Sequence, residues 1–244
     1  MISAPFQSAA VSAPQPQPNW AMFFDLDGTL LDIAPGPDDV VTPASLVPTL
    51  AAARDWLGGA LAIVSGRTVE KIDEFLAPLK FPCAGEHGAV LRMADGTIRR
   101  AGNECVVPDS WKQAMRRVVQ NWDGVIVDDK AFSIALHYRA VPERGEDVRR
   151  LVENIVAANS KDFEVLPAQM AYEIRHRSLN KGTAVRSFMA EPVFHGRRPV
   201  FIGDDVTDED GFRAAKELGG LGLHVRDAFG GEPANVRRWL ESFK

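Results

Sequence analysis

Unbroken apolar runs along this chain alternate with stretches in which apolar positions recur every three or four residues. The first run, Met22-Phe23-Phe24, leads straight into Asp25-Leu26-Asp27-Gly28-Thr29-Leu30. A short apolar run bounded by turn residues predicts a strand buried on both faces of a parallel sheet. Gly28 supplies the break, so Asp25 and Asp27 fall at the strand's carboxyl end, the edge where ligands bind in open α/β sheets. An Asp-Gly turn after an ordinary strand is the plainer reading of the same residues. Pro43 starts a helix that runs through Leu46, Leu50 and Trp56 and stops at Gly58-Gly59. Leu61-Ala62-Ile63-Val64 predicts a second buried strand ending at Ser65-Gly66-Arg67, and helical periodicity over 69–76 closes before Pro78. A third strand over 81–85 ends at Glu86-His87-Gly88, and Val90-Leu91 and Thr97-Ile98 flank Ala94-Asp95-Gly96 as a hairpin. Repeated strand-helix units imply a parallel sheet with right-handed crossovers.

Residues 109–178 follow another rhythm. The pattern predicts a helix over 109–121, strands over 124–129 and 131–139, a helix over 143–158, and strands over 163–166 and 170–175. Two helix-strand-strand units make an α+β segment with an antiparallel sheet. The first rhythm then resumes with a helix over 181–189 and a buried strand over 199–202, ending at Gly203-Asp204-Asp205-Val206-Thr207-Asp208-Glu209. A helix through Phe212 and Leu218, a short strand over 222–225 and a helix from Pro233 complete the chain. The expected fold is α/β: a Rossmann-like three-layer parallel-sheet core over 20–108 and 179–244, with an inserted α+β cap domain over 109–178.

Composition changes this picture little. A chain of 244 residues can bury a sizeable core, and 45% hydrophobic with 25% charged residues is the make-up of a soluble globular protein. The net charge of −5 offers nothing to nucleic acid or an anionic membrane; residues 109–178 hold 11 basic and 11 acidic residues, so that charge lies outside them. Cys83 and Cys105 match neither a disulfide framework nor a metal-ligand spacing and read as reduced structural thiols of a cytoplasmic protein. Residues 1–19 carry four prolines and the first basic residue is Arg54, which excludes a signal or transit peptide there and predicts a flexible tail. No apolar run approaches a membrane span. Trp20, Trp56, Trp111, Trp122 and Trp239 read as packing residues, and Arg237-Arg238 as a solvated helix face.

Parallel strands place their carboxyl ends on one edge, so Asp25 and Asp27, Ser65, Glu86-His87, and Asp204 with Asp208 should converge there, with Lys181 at a helix start. Two carboxylates a few ångströms apart in a partly dry site repel each other, and a bound cation relieves the repulsion.

This ordered set resembles the haloacid dehalogenase-type phosphatases. Asp25-Leu26-Asp27-Gly28-Thr29 matches the family's first motif, Ser65 its second, Lys181 its third, and Gly203-Asp204 with Asp208 its fourth. Ser65-Gly66-Arg67, Glu86-His87-Gly88, Leu136-His137-Tyr138-Arg139, Asn180-Lys181-Gly182 and Gly203 to Glu209 resemble one branch, the trehalose-6-phosphate phosphatases of trehalose biosynthesis. The resemblance implies an Mg²⁺-dependent hydrolysis of trehalose 6-phosphate, with Asp25 as nucleophile and Asp27 as general acid and then base. It places the Mg²⁺ on Asp25, the Asp27 carbonyl and Asp204, with Asp208 supporting from behind, and gives Ser65, Gly66 and Lys181 to the phosphoryl oxygens. Six carboxylates (Asp25, Asp27, Asp204, Asp205, Asp208, Glu209) would otherwise repel a phosphate dianion. Another sugar phosphate, such as sucrose phosphate or mannosyl-phosphoglycerate, would suit the same chemistry.

Substrate choice is expected in the insertion. Alternation puts Phe132, Ile134, Leu136 and Tyr138 on one face of a strand and Ser133, Ala135, His137 and Arg139 on the other, with Tyr172 and Ile174 likewise opposite Glu173 and Arg175. The polar face is either solvated or a roof that binds sugar hydroxyls through His137, Arg139 and Glu173; Arg67, Glu86 and His87 serve the substrate from the core. The expected partner is a small-molecule sugar phosphate, with no nucleic acid and no membrane, on a monomeric protein.

Overall fold

The structure, a computed structural model, describes residues 13–34, 39–168 and 170–243. In chain order it contains β1 (Trp20–Phe24), α1 (Leu46–Trp56), β2 (Leu61–Val64), α2 (Val69–Phe75), β3 (Cys83–Gly85), β4 (Val90–Arg92) and β5 (Ile98–Arg100). Then follow α3 (Asp109–Val119), β6 (Ile126–Asp129), β7 (Ser133–His137), α4 (Gly145–Val156), β8 (Phe163–Ala168) and β9 (Ala171–His176). The last part holds α5 (Lys181–Met189), β10 (Arg198–Gly203), α6 (Glu209–Glu217), β11 (Leu221–His224), α7 (Val225–Phe229) and α8 (Pro233–Leu240). The chain divides into two units, between Arg99 and Arg100 and again between Asn180 and Lys181.

The first unit is built on a seven-stranded sheet ordered β11-β10-β1-β2-β3-β4-β5. Its first five strands run parallel, and β4 turns back antiparallel on β3. In the centre, Phe24 registers with Ile202 on one side and Ile63 on the other. Every residue of β1 and β2 is buried, which is why both are apolar without alternation. Phe23, Phe188 and Phe194 pack with ring centroids 5.5–6.0 Å apart between the sheet and α5. Arg92, nearly buried, donates to both oxygens of Asp73 on α2 and to the Phe81 carbonyl, fixing β4 against its neighbours.

Three expectations need correction here. The flexible tail over 1–19 is drawn too long: Trp239 Nε1 donates to the Pro14 carbonyl at 3.0 Å, Arg197 to the Pro18 carbonyl and the Arg198 amide to the Asn19 carbonyl. Residues 1–12 of that stretch lie outside the described residues. Arg237 does not sit on a solvated face; it donates to the Leu30 carbonyl at 2.9 Å and to Asp32. The short helix α7 has no counterpart in the sequence reading. His224, which ends β11, caps it by accepting from the Arg226 amide, and Gly230 closes it at φ +66°. The tryptophans do pack: Trp20 stacks on Trp239, Trp56 meets Phe243 edge-on, Trp111 meets Phe163, and Trp122 lies under the Arg144 guanidinium.

The second unit is a four-stranded antiparallel sheet, β6-β7-β9-β8. Met115 and Val119 of α3 and Val148, Val152 and Val156 of α4 pack on Ile134, Leu136 and Ile174. On the other face Ser133, Ala135, Glu173 and Arg175 are buried, His137 is half-buried and Arg139 is exposed. Cys105 Sγ lies 3.7 Å from Ser178 Oγ, joining the two ends of this unit. Among the described residues no helix is long and apolar enough to cross a membrane.

Candidate active site

The two acid loops of the first unit leave adjacent strands. The Asp25 amide donates to the Ile202 carbonyl of β10 at 2.9 Å, the last ladder bond before the chain turns away. The turn that follows is tightly wound: the Leu30 and Leu31 amides both reach the Leu26 carbonyl, and the Gly28 amide returns to Leu31. Gly28 has φ +74°, and a Cβ placed there would stand 2.1 Å from Asp204 Oδ2. Only glycine lets these loops come so close. Thr29, fully buried, donates its hydroxyl to Asp204 Oδ1 at 3.1 Å. Nothing in the local sequence marks this role of Thr29 beyond a hydroxyl residue directly after Gly28, because its partner lies 175 residues away.

Lys181 opens α5 and is buried, although a cation at a helix N-terminus is disfavoured by the helix dipole. Its Nζ lies 2.8 Å from Asp25 Oδ1 and 2.7 Å from Asp208 Oδ1, which compensates. The second oxygen of Asp208 accepts the Asp204 and Asp205 amides at 2.9 and 3.0 Å. Asp208 thus has both oxygens committed and acts as the fastener of the loop, forming a capping box with Asp205. Asp205 and Glu209 are exposed and stand outside the buried acid cluster. Oxygens of Asp25, Asp204 and Asp208 lie within 4.8 Å of one another. Burial, the Asp208 charge and then the Asp205 charge push the Asp204 carboxyl up to about 6, despite Thr29 and Lys181 pulling it down. Burial raises the Asp25 carboxyl well above the usual carboxylate range, and the Asp208 and Asp204 charges add to it, so its share of one ammonium does not make up the loss. Lys181 itself is desolvated, yet Asp208 and Asp25 together hold it firmly charged. Three acids and one ammonium leave an excess of negative charge, a donor set fitted to a hard divalent cation.

Asp27 is clamped from the side. Arg67 donates to it through Nε and Nη2, both at 2.9 Å, in a two-pronged contact. The expected substrate ligand Arg67 is therefore engaged with the expected acid. Ser65, buried at the end of β2, accepts the Arg67 amide on its hydroxyl at 3.2 Å. The Ser65-Gly66-Arg67 loop is itself held by the next strand end. There Glu86 and His87, both buried, adopt φ +47° and +58°, a left-handed backbone that side chains other than glycine enter at roughly 1–2 kcal/mol per residue.

In the second unit, the expected residues fall into a cluster of their own. Glu173 Oε1 lies 3.6 Å from Lys130 Nζ, which is 3.3 Å from Asp128; His137 Nε2 lies 3.8 Å from the same Asp128. The His137 contact holds the Asp128 carboxyl below its ordinary range, against the opposing effect of burial. Arg139 lies past the end of β7 and is exposed. Lys130 was missed in the sequence because a lysine next to a strand end has no mark of its own.

Comparison with known proteins follows the same lines. The trehalose-phosphatase family model matches residues 23–238. A probable trehalose-phosphate phosphatase of Sinorhizobium fredii is 42% identical over 207 residues, covering 85% of this chain and 78% of that protein. The trehalose-6-phosphate phosphatase of Escherichia coli is 34% identical over 87% of this chain and 79% of its own length. Among solved structures, the C-terminal domain of the C. albicans trehalose-6-phosphate phosphatase superposes with a TM-score of 0.76 over 92% of each chain, at 19% identity.

Proposed function

Since the chain belongs to the trehalose-phosphatase family, we propose that it hydrolyses trehalose 6-phosphate to trehalose and inorganic phosphate through a phosphoryl group carried on Asp25. The observation that supports this most is the buried Asp25 at the end of β1, 2.8 Å from the Lys181 ammonium and beside Asp204. A carboxylate there attacks phosphorus, and the bond from phosphorus to the sugar oxygen breaks. Asp27 gives its proton to the leaving oxygen. Water then attacks the phosphoaspartate, Asp27 takes the proton back, and phosphate leaves with Asp25 restored. Both Asp27 oxygens accept from Arg67, so part of that clamp opens before a proton is delivered. Ser65, Gly66 and Lys181 bind the phosphoryl oxygens, where charge spreads in the transition state.

The acid cluster fits Mg²⁺: Asp25, Asp204 and the Asp27 carbonyl would hold it, with Asp208 positioning Asp204 through its amide. Bound there, Mg²⁺ supplies Lewis-acid neutralisation of the phosphoryl oxygens and relieves the carboxylate repulsion. Recognition of the sugar is assigned to Glu173, His137 and Arg139. Phosphate release from trehalose 6-phosphate, sucrose phosphate, mannosyl-phosphoglycerate and an aryl phosphate, with Mg²⁺ and in chelator, tests the whole reading. Metal-dependent turnover that is fastest on trehalose 6-phosphate is expected. Turnover undiminished in chelator removes the metal, and a faster second sugar removes the substrate.

A further inference from the structure

The left-handed pair Glu86-His87 has a geometric job in the first unit. Its two successive amides point at the two carbonyls of one loop: Glu86 N–H donates to the Arg67 carbonyl at 2.9 Å and His87 N–H to the Ser65 carbonyl at 3.0 Å. Both carbonyls that flank Gly66 in this loop are therefore held by two successive amides of one turn. The His87 ring closes the third side. A Cβ placed on Gly66 would stand 2.7 Å from both Cε1 and Nε2 of that ring. The loop between Ser65 and Arg67 is thus held at both carbonyls and covered at its middle residue. What it carries is the Ser65 hydroxyl and the Arg67 guanidinium, and the guanidinium grips Asp27.

We propose that Glu86-His87 is a positioning device for the reaction, setting the Ser65-Gly66-Arg67 loop and through it Asp27, and that His87 acts on this loop. The inference rests on the proposed phosphatase reading for its assay and replaces sugar contact by His87 with contact to Gly66. It also accounts for the persistence of left-handed backbone at two residues with bulky side chains. Strain of this kind is retained where the surrounding contacts over-determine it.

The test uses the full chain and three variants: Gly66→Ala, His87→Asn, and both together. Asparagine enters the left-handed region more readily than most side chains, so it keeps the amide hold while removing the ring from Gly66. Thermal melts establish that each variant is folded, and kcat and KM are read on trehalose 6-phosphate and on 4-nitrophenyl phosphate. Gly66→Ala, forced against the ring, is expected to lower kcat about ten- to a hundred-fold on both substrates with KM little changed, as a displaced catalytic group does. Adding His87→Asn is expected to recover most of that loss, because the methyl then occupies the vacated space. A double variant no faster than Gly66→Ala overturns the proposal. So does a His87→Asn loss confined to the sugar phosphate, which would make His87 a substrate contact. If the wild type fails on trehalose 6-phosphate but the cycle rescues on the aryl phosphate, the substrate assignment falls and the positioning role stands.

Discussion

At Asp25, burial works against the charge that the reaction needs. A neutral, nearly isosteric replacement should therefore remove chemistry without removing the fold. Asp25→Asn is expected to lower kcat by several orders of magnitude, since an amide cannot attack phosphorus, while its melting temperature in chelator at pH 8 is no lower than wild type. Retention of a tenth of wild-type turnover would sink the nucleophile assignment. Asp204 gives the pH dependence. Its carboxyl titrates near 6 in the folded chain against an ordinary 3.8, so the folded state binds the proton more tightly. The stability it contributes is present below about 4 and is lost as pH rises through about 6. In chelator, wild type should lose melting temperature relative to Asp204→Asn between pH 4.5 and 8, by about 2–5 °C for a chain of this size. Mg²⁺ should restore wild type at pH 8 and have little effect at pH 4.5, where the proton competes. A gap between the two proteins that stays constant with pH would contradict this account.

Among elements, α8 reaches furthest from its place in sequence. Arg237 donates to the carbonyl of Leu30, in the turn that begins at Asp25, and pairs with Asp32. Removing one hydrogen bond to a charged group from a half-covered site costs about 1–2 kcal/mol. Arg237→Ala should accordingly lower the melting temperature by about 2–8 °C and leave the KM for an aryl phosphate unchanged; an unaltered melt would show that the contact is idle. The same residue shows what the sequence can and cannot disclose. β1, β2 and β10 were legible because a strand covered on both faces must be apolar throughout, and Lys181 because its motif spacing is local. The partner of Arg237 lies 207 residues away, and that of Arg67 lies 40 residues away. Nothing in either local pattern names these protein partners, which is why Arg237 reads as a solvated residue and the Arg67 contact to Asp27 is not legible in the sequence. α7 escaped for a different reason: five residues are too few to show a period, and its start rests on the His224 ring. The left-handed Glu86-His87 turn had only its flanking glycines, Gly85 and Gly88, as a signal.

For the molecule as a whole, the division into two units separates two kinds of failure. The first unit alone holds Asp25, Asp27, Lys181 and Asp204, so chemistry on a substrate lacking the sugar should not depend on the second. Glu173→Ala is expected to hydrolyse an aryl phosphate about as fast as wild type, and to lose roughly ten- to a hundred-fold in kcat/KM on trehalose 6-phosphate, the worth of one hydrogen bond to a charged group. Equal losses on both substrates would mean that Glu173 supports the fold, and no loss on either would return the assignment of the sugar to other residues. The contact between Cys105 and Ser178 adds a consequence of its own. It brings the entry and the exit of the second unit together, so the host chain meets its insertion at a closed neck. A segment whose ends meet in this way can change in length or sequence between them while its two points of attachment keep their spacing.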